Sequence, residues 1–179
     1  MQWTDQIRRV KIILVVAAIL IAVASLVVSH ALTTDLESQE RTRMEVWAEA
    51  MRTLSKADEN TDLNLVLKVL NENNTIPVVV MDNNGEVSEF RNIRLKEKTY
   101  ADSLRAAAAI GRSYLASGRV IRITLDRRRN EYIDVCYGES VMLRRLAWYP
   151  FVQLGVVLIF VVIAVFALLS SKRAEQNKV

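Results

Sequence analysis

The chain has 179 residues, 51% of them hydrophobic and 25% charged, with a formal net charge of +4. That length allows one ordinary domain and some added elements, and the single cysteine, Cys136, excludes an intramolecular disulfide. Much of the positive charge flanks two apolar blocks and the rest is scattered, which argues against nucleic acid as a partner. One histidine and one cysteine also leave too few ligands for a structural zinc site.

Residues 12–28 contain no charged side chain, and Arg8, Arg9 and Lys11 precede them. As a helix the block covers about 26 Å, and residues 29–32 extend it to bilayer thickness. Ala18, Ala22, Ser25 and Ser29 recur at spacings of 4, 3 and 4, a small-residue face that permits close helix–helix packing. The plainer reading is that alanine is common in membrane helices. Ser29-His30-Ala31 has the form of a signal-peptide cleavage site. The apolar run is longer than the usual signal core, however, and a polar amphipathic helix continues from it, so an uncleaved span is expected.

Met44, Trp47, Met51 and Leu54 then repeat at spacings of 3, 4 and 3, one apolar stripe on a helix whose wet face carries Glu37, Glu40, Arg41, Arg43, Glu45 and Arg52. Residues 32–57 contain no Pro or Gly, so the membrane helix is expected to run outward as one rod. The polar run 58–62 breaks it, and Thr61 or Asp62 is expected to cap a second helix bearing Leu63, Val66, Leu67 and Leu70. Residues 76–81 read as a strand, with Pro77 indicating either a sheet edge or a strand start. Asp82-Asn83-Asn84-Gly85 reads as a hairpin turn because Asn-Gly tolerates positive φ, and residues 86–91 return.

Thr99 and Asp102 have the spacing of a capping box for an alanine-rich helix that Gly118 stops. Ile121, Ile123 and Leu125 alternate with Arg122, Thr124 and Asp126. Ile133, Val135 and Tyr137 alternate with Tyr132, Asp134 and Cys136. These are two half-buried strands about a polar turn at 127–130. Gly138 precedes a last helix through Leu143 and Leu146 into the second apolar block, residues 150–169, about 30 Å long. Trp148, Tyr149 and Phe151 fit an interfacial belt at its outer end, and Lys172, Arg173 and Lys178 follow it. Ala164, Ala167 and Ser171 form a shorter small-residue stripe.

The expected fold class is an α+β membrane protein: two transmembrane helices flank a small extracytoplasmic antiparallel sheet with helices on one face. Its topology is similar to the PAS-like, Cache-type sensor fold. Basic residues on the outer flank of both blocks put both termini in the cytoplasm; Arg144 and Arg145 lie on the opposite side, but long loops translocate largely regardless of charge. The expected division is a cytoplasmic N-terminus (1–11), a first span (12–32), an extracytoplasmic sensor-like domain (33–147), a second span (148–170) and a cytoplasmic juxtamembrane helix start (171–179).

No phosphate loop, dinucleotide motif or nucleophile motif occurs, and no catalytic, cofactor-binding or metal residue is assigned. His30 is either a pH sensor or a bystander at the lipid–water boundary. Cys136 is either a redox thiol or an inert small hydrophobe, the commoner case for a lone strand cysteine. Arg127, Arg128 and Arg129 form either an anion or headgroup site or a solvated turn. Arg119, Arg122, Tyr132 and Tyr137 are the candidates to line a ligand pocket, if they share a side of the sheet.

The tail, residues 170–179, leaves the second block as a charged, helix-favouring segment without cap or stop and reads as cut in mid-helix. It resembles the juxtamembrane stretch of sensor histidine kinases of the Bacteroidetes type. The turn Tyr137-Gly138-Glu139-Ser140, the run Trp148-Tyr149-Pro150-Phe151 and the two-span layout look similar too. The resemblance implies an N-terminal signal-input region in the bacterial inner membrane, with its central domain in the periplasm, acting as a homodimer on an unknown ligand or protein. The phosphoacceptor histidine, its acidic neighbour and the ATP lid are missing here. ATP, Mg and a response regulator are therefore implied only for a kinase part that this chain lacks. The alternatives are a bitopic interaction protein and a chemoreceptor-type input module.

Overall fold

The computed structural model describes residues 2–96 and 99–176; residue 1 and residues 177–179, which include Lys178 of the charged tail, lie outside them. The elements are α1 (Gln2–Ser55), α2 (Asn64–Glu72), β1 (Val78–Asp82), β2 (Val87–Arg91), α3 (Tyr100–Ala116), β3 (Val120–Asp126), β4 (Glu131–Tyr137) and α4 (Val141–Gln176). They form two compact units: Asp35–Arg144, and Met1–Thr34 together with Arg145–Val179.

The first unit is α+β. Its four strands lie in the order β2-β1-β4-β3, every neighbouring pair antiparallel. The two sequence-adjacent hairpins therefore join through β1 and β4, with Val78 opposite Tyr137 and Val80 opposite Val135. Pro77 stands one residue before β1, and its carbonyl accepts a hydrogen bond from the Gly138 N–H at 2.9 Å. Since β1 lies between β2 and β4, Pro77 marks a strand start and not a sheet edge. The 82–85 turn places Gly85 at φ +80, and Asp82 Oδ1 accepts from the N–H groups of Asn84 and Glu86.

Helices cover both faces of the sheet, not one. On one face Met44, Trp47 and Met51 of α1 and Leu70 of α2 pack on Val78, Val80, Val135 and Tyr137. On the other, α3 lies over Val79, Met81 and Cys136, with Ile110 and Tyr114 closing the contact. Gly111 permits the close approach: a Cβ there would stand 2.5 Å from Met81 Sδ and 3.0 Å from Val79 Cγ1. The physical reason for two covers is the run of β1, four consecutive buried apolar residues, which can be buried only if both faces are dry.

The helix termini differ in detail from expectation. Thr61 does not cap α2; its hydroxyl donates to Asp58 Oδ1 at 2.6 Å, and Asp62 Oδ1 accepts from the Asn64 N–H at 3.0 Å. The α2 stripe is Val66, Val69 and Leu70, while Leu67 is exposed. Thr99 makes no side-chain cap, and Asp102, one methylene shorter than the usual glutamate, pairs outward with Arg105 at 3.6 Å. The end of α3 follows the expected form: Gly118 at φ +76 donates to Leu115 O, and Arg119 N–H donates to Tyr114 O.

The second unit holds the apolar parts of α1 and α4. Both helices are long and apolar enough to cross a membrane, and side chains such as Leu20, Ile21, Phe160 and Phe166 stand exposed. Pro150 lies inside α4 and supplies no N–H to the carbonyl of Leu146. Between Gln2 and Ser55, α1 contains neither Pro nor Gly.

Candidate functional site

A set of polar contacts joins α1, the residue before β3 and the start of α4. Arg119 is fixed first by its backbone, which closes the C-terminus of α3 and whose carbonyl accepts the Tyr137 N–H at 3.0 Å. Its guanidinium then donates to Glu139 Oε1 at 2.9 Å and to Glu37 Oε1 at 3.2 Å. Beside this triad Glu40 is buried, and its Oε2 accepts the Ser140 N–H at 3.3 Å. Ser140 Oγ in turn accepts the Leu143 N–H at 3.1 Å, so Ser140 is the N-cap of α4.

This cluster is a clasp. Glu37 and Glu40 belong to α1, one turn apart on one face; Glu40 reaches the segment that opens α4 directly, and Glu37 reaches it through Arg119. The buried carboxylate of Glu40 also faces the positive end of the α4 dipole. Glu37 and Glu139 are nearly half exposed, so their ion pairs are worth about 0–1 kcal/mol each. The Glu40 contact is the stronger one because it is dry and because loss of the acceptor would strand a buried N–H. Tyr114 packs beneath: a Cβ on Gly138 would meet its ring at 2.6 Å. Burial pushes the Tyr114 hydroxyl above its ordinary pKa, against the opposing charges of Arg144 and Arg119, and so keeps it neutral.

The four candidate pocket residues do not converge. Tyr132 and Tyr137 lie five positions apart on β4, an odd number, and so project from opposite faces. Tyr137 is buried in the core beneath α1. Arg122 faces the other way, donating to both oxygens of buried Asp134 at 2.7 and 2.8 Å, with its guanidinium 3.9 Å from the centre of the Tyr132 ring. The Asp134 hydrogen bond raises the Arg122 pKa further, so the guanidinium stays charged. Arg119 belongs to the clasp. A groove of about 610 Å³ does run along β3, between Ile121, Ile123 and Leu125 and the α1 residues Glu45, Glu49 and Arg52, and of the four candidates it includes Arg122.

Burial, reinforced by the Asp134 carboxylate, pushes the Cys136 thiol up to about 11, which makes it an inert core residue at neutral pH. His30 is exposed. The 127–129 arginines are exposed, and Arg129 lies 3.9 Å from Asp126. Among the described residues no group of three or more His, Cys, Asp or Glu side chains is placed to hold a metal ion. On the small-residue face of α1, Ala22 and Ser29 are buried, Ala18 and Ser25 half-buried. Glu37, Glu40, Glu139 and Ser140 are the site residues that sequence reasoning passed over. The signal for Ser140 was present, a serine directly before an apolar helical run; buried Glu40 looked like part of a wet face. No family model, no curated protein and no solved structure matches the chain, so the sensor-kinase and PAS-like resemblances rest on the residues alone.

Proposed function

We propose that the chain is the membrane-anchored signal-input region of a two-component sensor histidine kinase. Its α1 and α4 cross the bacterial inner membrane, Asp35–Arg144 faces the periplasm, and an external stimulus is relayed through the two helices. The observation that carries this reading is the clasp: the two helices that hold the bilayer-length apolar segments are tied to one another, within the α+β unit, by Glu40–Ser140 and by Glu37–Arg119–Glu139. A ligand or partner protein that prefers one arrangement of this clasp shifts its population, and about 1.4 kcal/mol of preference is a tenfold change. The basic flanks of both apolar segments support cytoplasmic termini. Kinase chemistry, with ATP, Mg and a response regulator, belongs to a part that this chain does not contain.

The test has two arms. In sealed cells expressing Cys136→Ala, a membrane-impermeant maleimide is expected to label Leu65→Cys, whose position is 73% exposed in the α+β unit, and to spare a cysteine placed at Gln6 until the cells are opened. The reverse pattern would refute the topology. Fused to the cytoplasmic part of a characterised sensor kinase, the chain is expected to set an output that Arg119→Ala shifts while the protein stays folded and inserted. An output identical with and without Arg119 would remove the clasp from the relay.

A further inference from the structure

One strongly polar side chain lies inside the apolar segment of α4. Gln153 follows Tyr149 by four residues, which sets its amide roughly 6 Å inward of the Trp148–Tyr149 girdle. It is half-buried and lines a cavity of about 280 Å³ with Ala18 and Ala22 of α1 and Val157 and Phe160 of α4. The other residues around this cavity are aliphatic. Among the described residues no hydrogen bond reaches the Gln153 amide. A carboxamide carries two N–H donors and an acceptor oxygen, and hydrocarbon offers no water to satisfy them. The α1 residues around the cavity, Val15, Ala18, Ile19, Ile21 and Ala22, carry no side-chain hydrogen-bonding group.

We propose that this cavity receives α4 of a second copy of the chain and that the two Gln153 amides hydrogen-bond to each other across the contact. The proposal rests on the membrane reading above. Two arguments fix the occupant. A twofold axis along the membrane normal brings every residue to the depth of its own counterpart, so the amide meets an amide without any adjustment of register. A carboxamide is donor and acceptor at once, so two of them related by that axis pair reciprocally, whereas two like charges would repel. Ala18 and Ala22 leave room on the α1 side for the incoming helix. A lipid acyl chain would fill the same apolar volume and leave the amide unsatisfied. Gln153, Val157 and Phe160 fall at spacings of 4 and 3, on one face of α4, and Leu158 and Val162 fall on the opposite face.

The test uses the full chain carrying Cys136→Ala, reconstituted in vesicles of phosphatidylethanolamine and phosphatidylglycerol, with association read by energy transfer between donor- and acceptor-labelled copies. Gln153→Leu is expected to weaken dimerisation about three- to ten-fold, the range that one interhelical side-chain hydrogen bond supports, and Gln153→Asn to retain most of it. On oxidation, Val157→Cys and Phe160→Cys are expected to give covalent dimers, and Leu158→Cys and Val162→Cys none. Association of Gln153→Leu equal to the parent, as an acyl-chain occupant would give, overturns the proposal, and so does cross-linking through the 158/162 face. Release of the chain from the vesicles by alkaline carbonate would overturn the membrane reading itself, an outcome separate from failure of the pairing.

Discussion

Glu40 shows how much a single atom position decides. Its sequence neighbours Glu37, Arg41 and Arg43 are solvated, and by pattern Glu40 joins them; only the fold places its Oε2 against the Ser140 N–H in a dry site. Glu40→Ala is expected to lower stability by about 1–3 kcal/mol, the cost of stranding a buried donor, and Glu40→Gln, which keeps an acceptor oxygen, by less. Urea denaturation of the full chain in detergent, followed by the fluorescence of buried Trp47 with Trp3 and Trp148 replaced by Phe, measures both. Cys136 gives a pH signature. Its thiol ionises near 9 in the unfolded chain and near 11 in the fold. The raised value contributes stability that is complete below pH 9 and is lost as pH rises from 9 through 11, at most about 3 kcal/mol. The same denaturation at pH 8 and pH 11 is expected to show this loss in the parent and a smaller one in Cys136→Ala, where the half-buried Tyr114 hydroxyl still contributes above pH 10. The inert reading of Cys136 followed from the usual behaviour of a lone strand cysteine and not from alternation, which sets it beside Tyr132 and Asp134; the split of Tyr132 from Tyr137 required only counting.

Among the elements, β1 was legible as a strand and misjudged in its surroundings. Val78 to Met81 do not alternate, and an unbroken apolar strand signals cover on both faces. The alternating β3 and β4 suggested a half-wet sheet because α3 packs on β1, β2 and β4 and leaves that face of β3 uncovered. The alanine run of α3 was read as helix propensity; its second role is to present a thin face, with buried Ala107 and Gly111 against the sheet. Gly111→Leu is therefore expected to destabilise the α+β unit by about 1–3 kcal/mol despite the better helix propensity of leucine, because the added side chain meets fully buried Val79, whose Cγ1 and Cβ stand 3.0 and 3.3 Å from a Cβ there. Limited proteolysis between β2 and α3, at residues 92–96, reports the loosening. The caps were less legible than the helices, since Thr61 and Thr99 had competing or misplaced partners that only the fold reveals.

For the whole molecule, the segregation of apolar residues into two blocks and the intervening order of helices and strands were readable from periodicity alone. The pairing order of the strands was not, because antiparallel hairpins can join through either outer edge. The clasp was hidden because its members are 37, 40, 119, 139 and 140, contacts that close loops of up to 100 residues. If the relay reading holds, three glycines inserted after Thr33 are expected to leave the α+β unit folded, as judged by the Trp47 transition. They are expected to abolish stimulus-dependent output from the kinase fusion, whereas a four-residue helical insertion there, close to one turn, retains most of it.

Pro150 makes the two helices mechanically unlike. The missing N–H leaves the Leu146 carbonyl without its partner four residues on, so α4 is expected to bend more easily there than α1, which no Pro or Gly interrupts. On the proposed relay, α1 would carry an axial displacement with little loss, and α4 would bend at Pro150 to accommodate it.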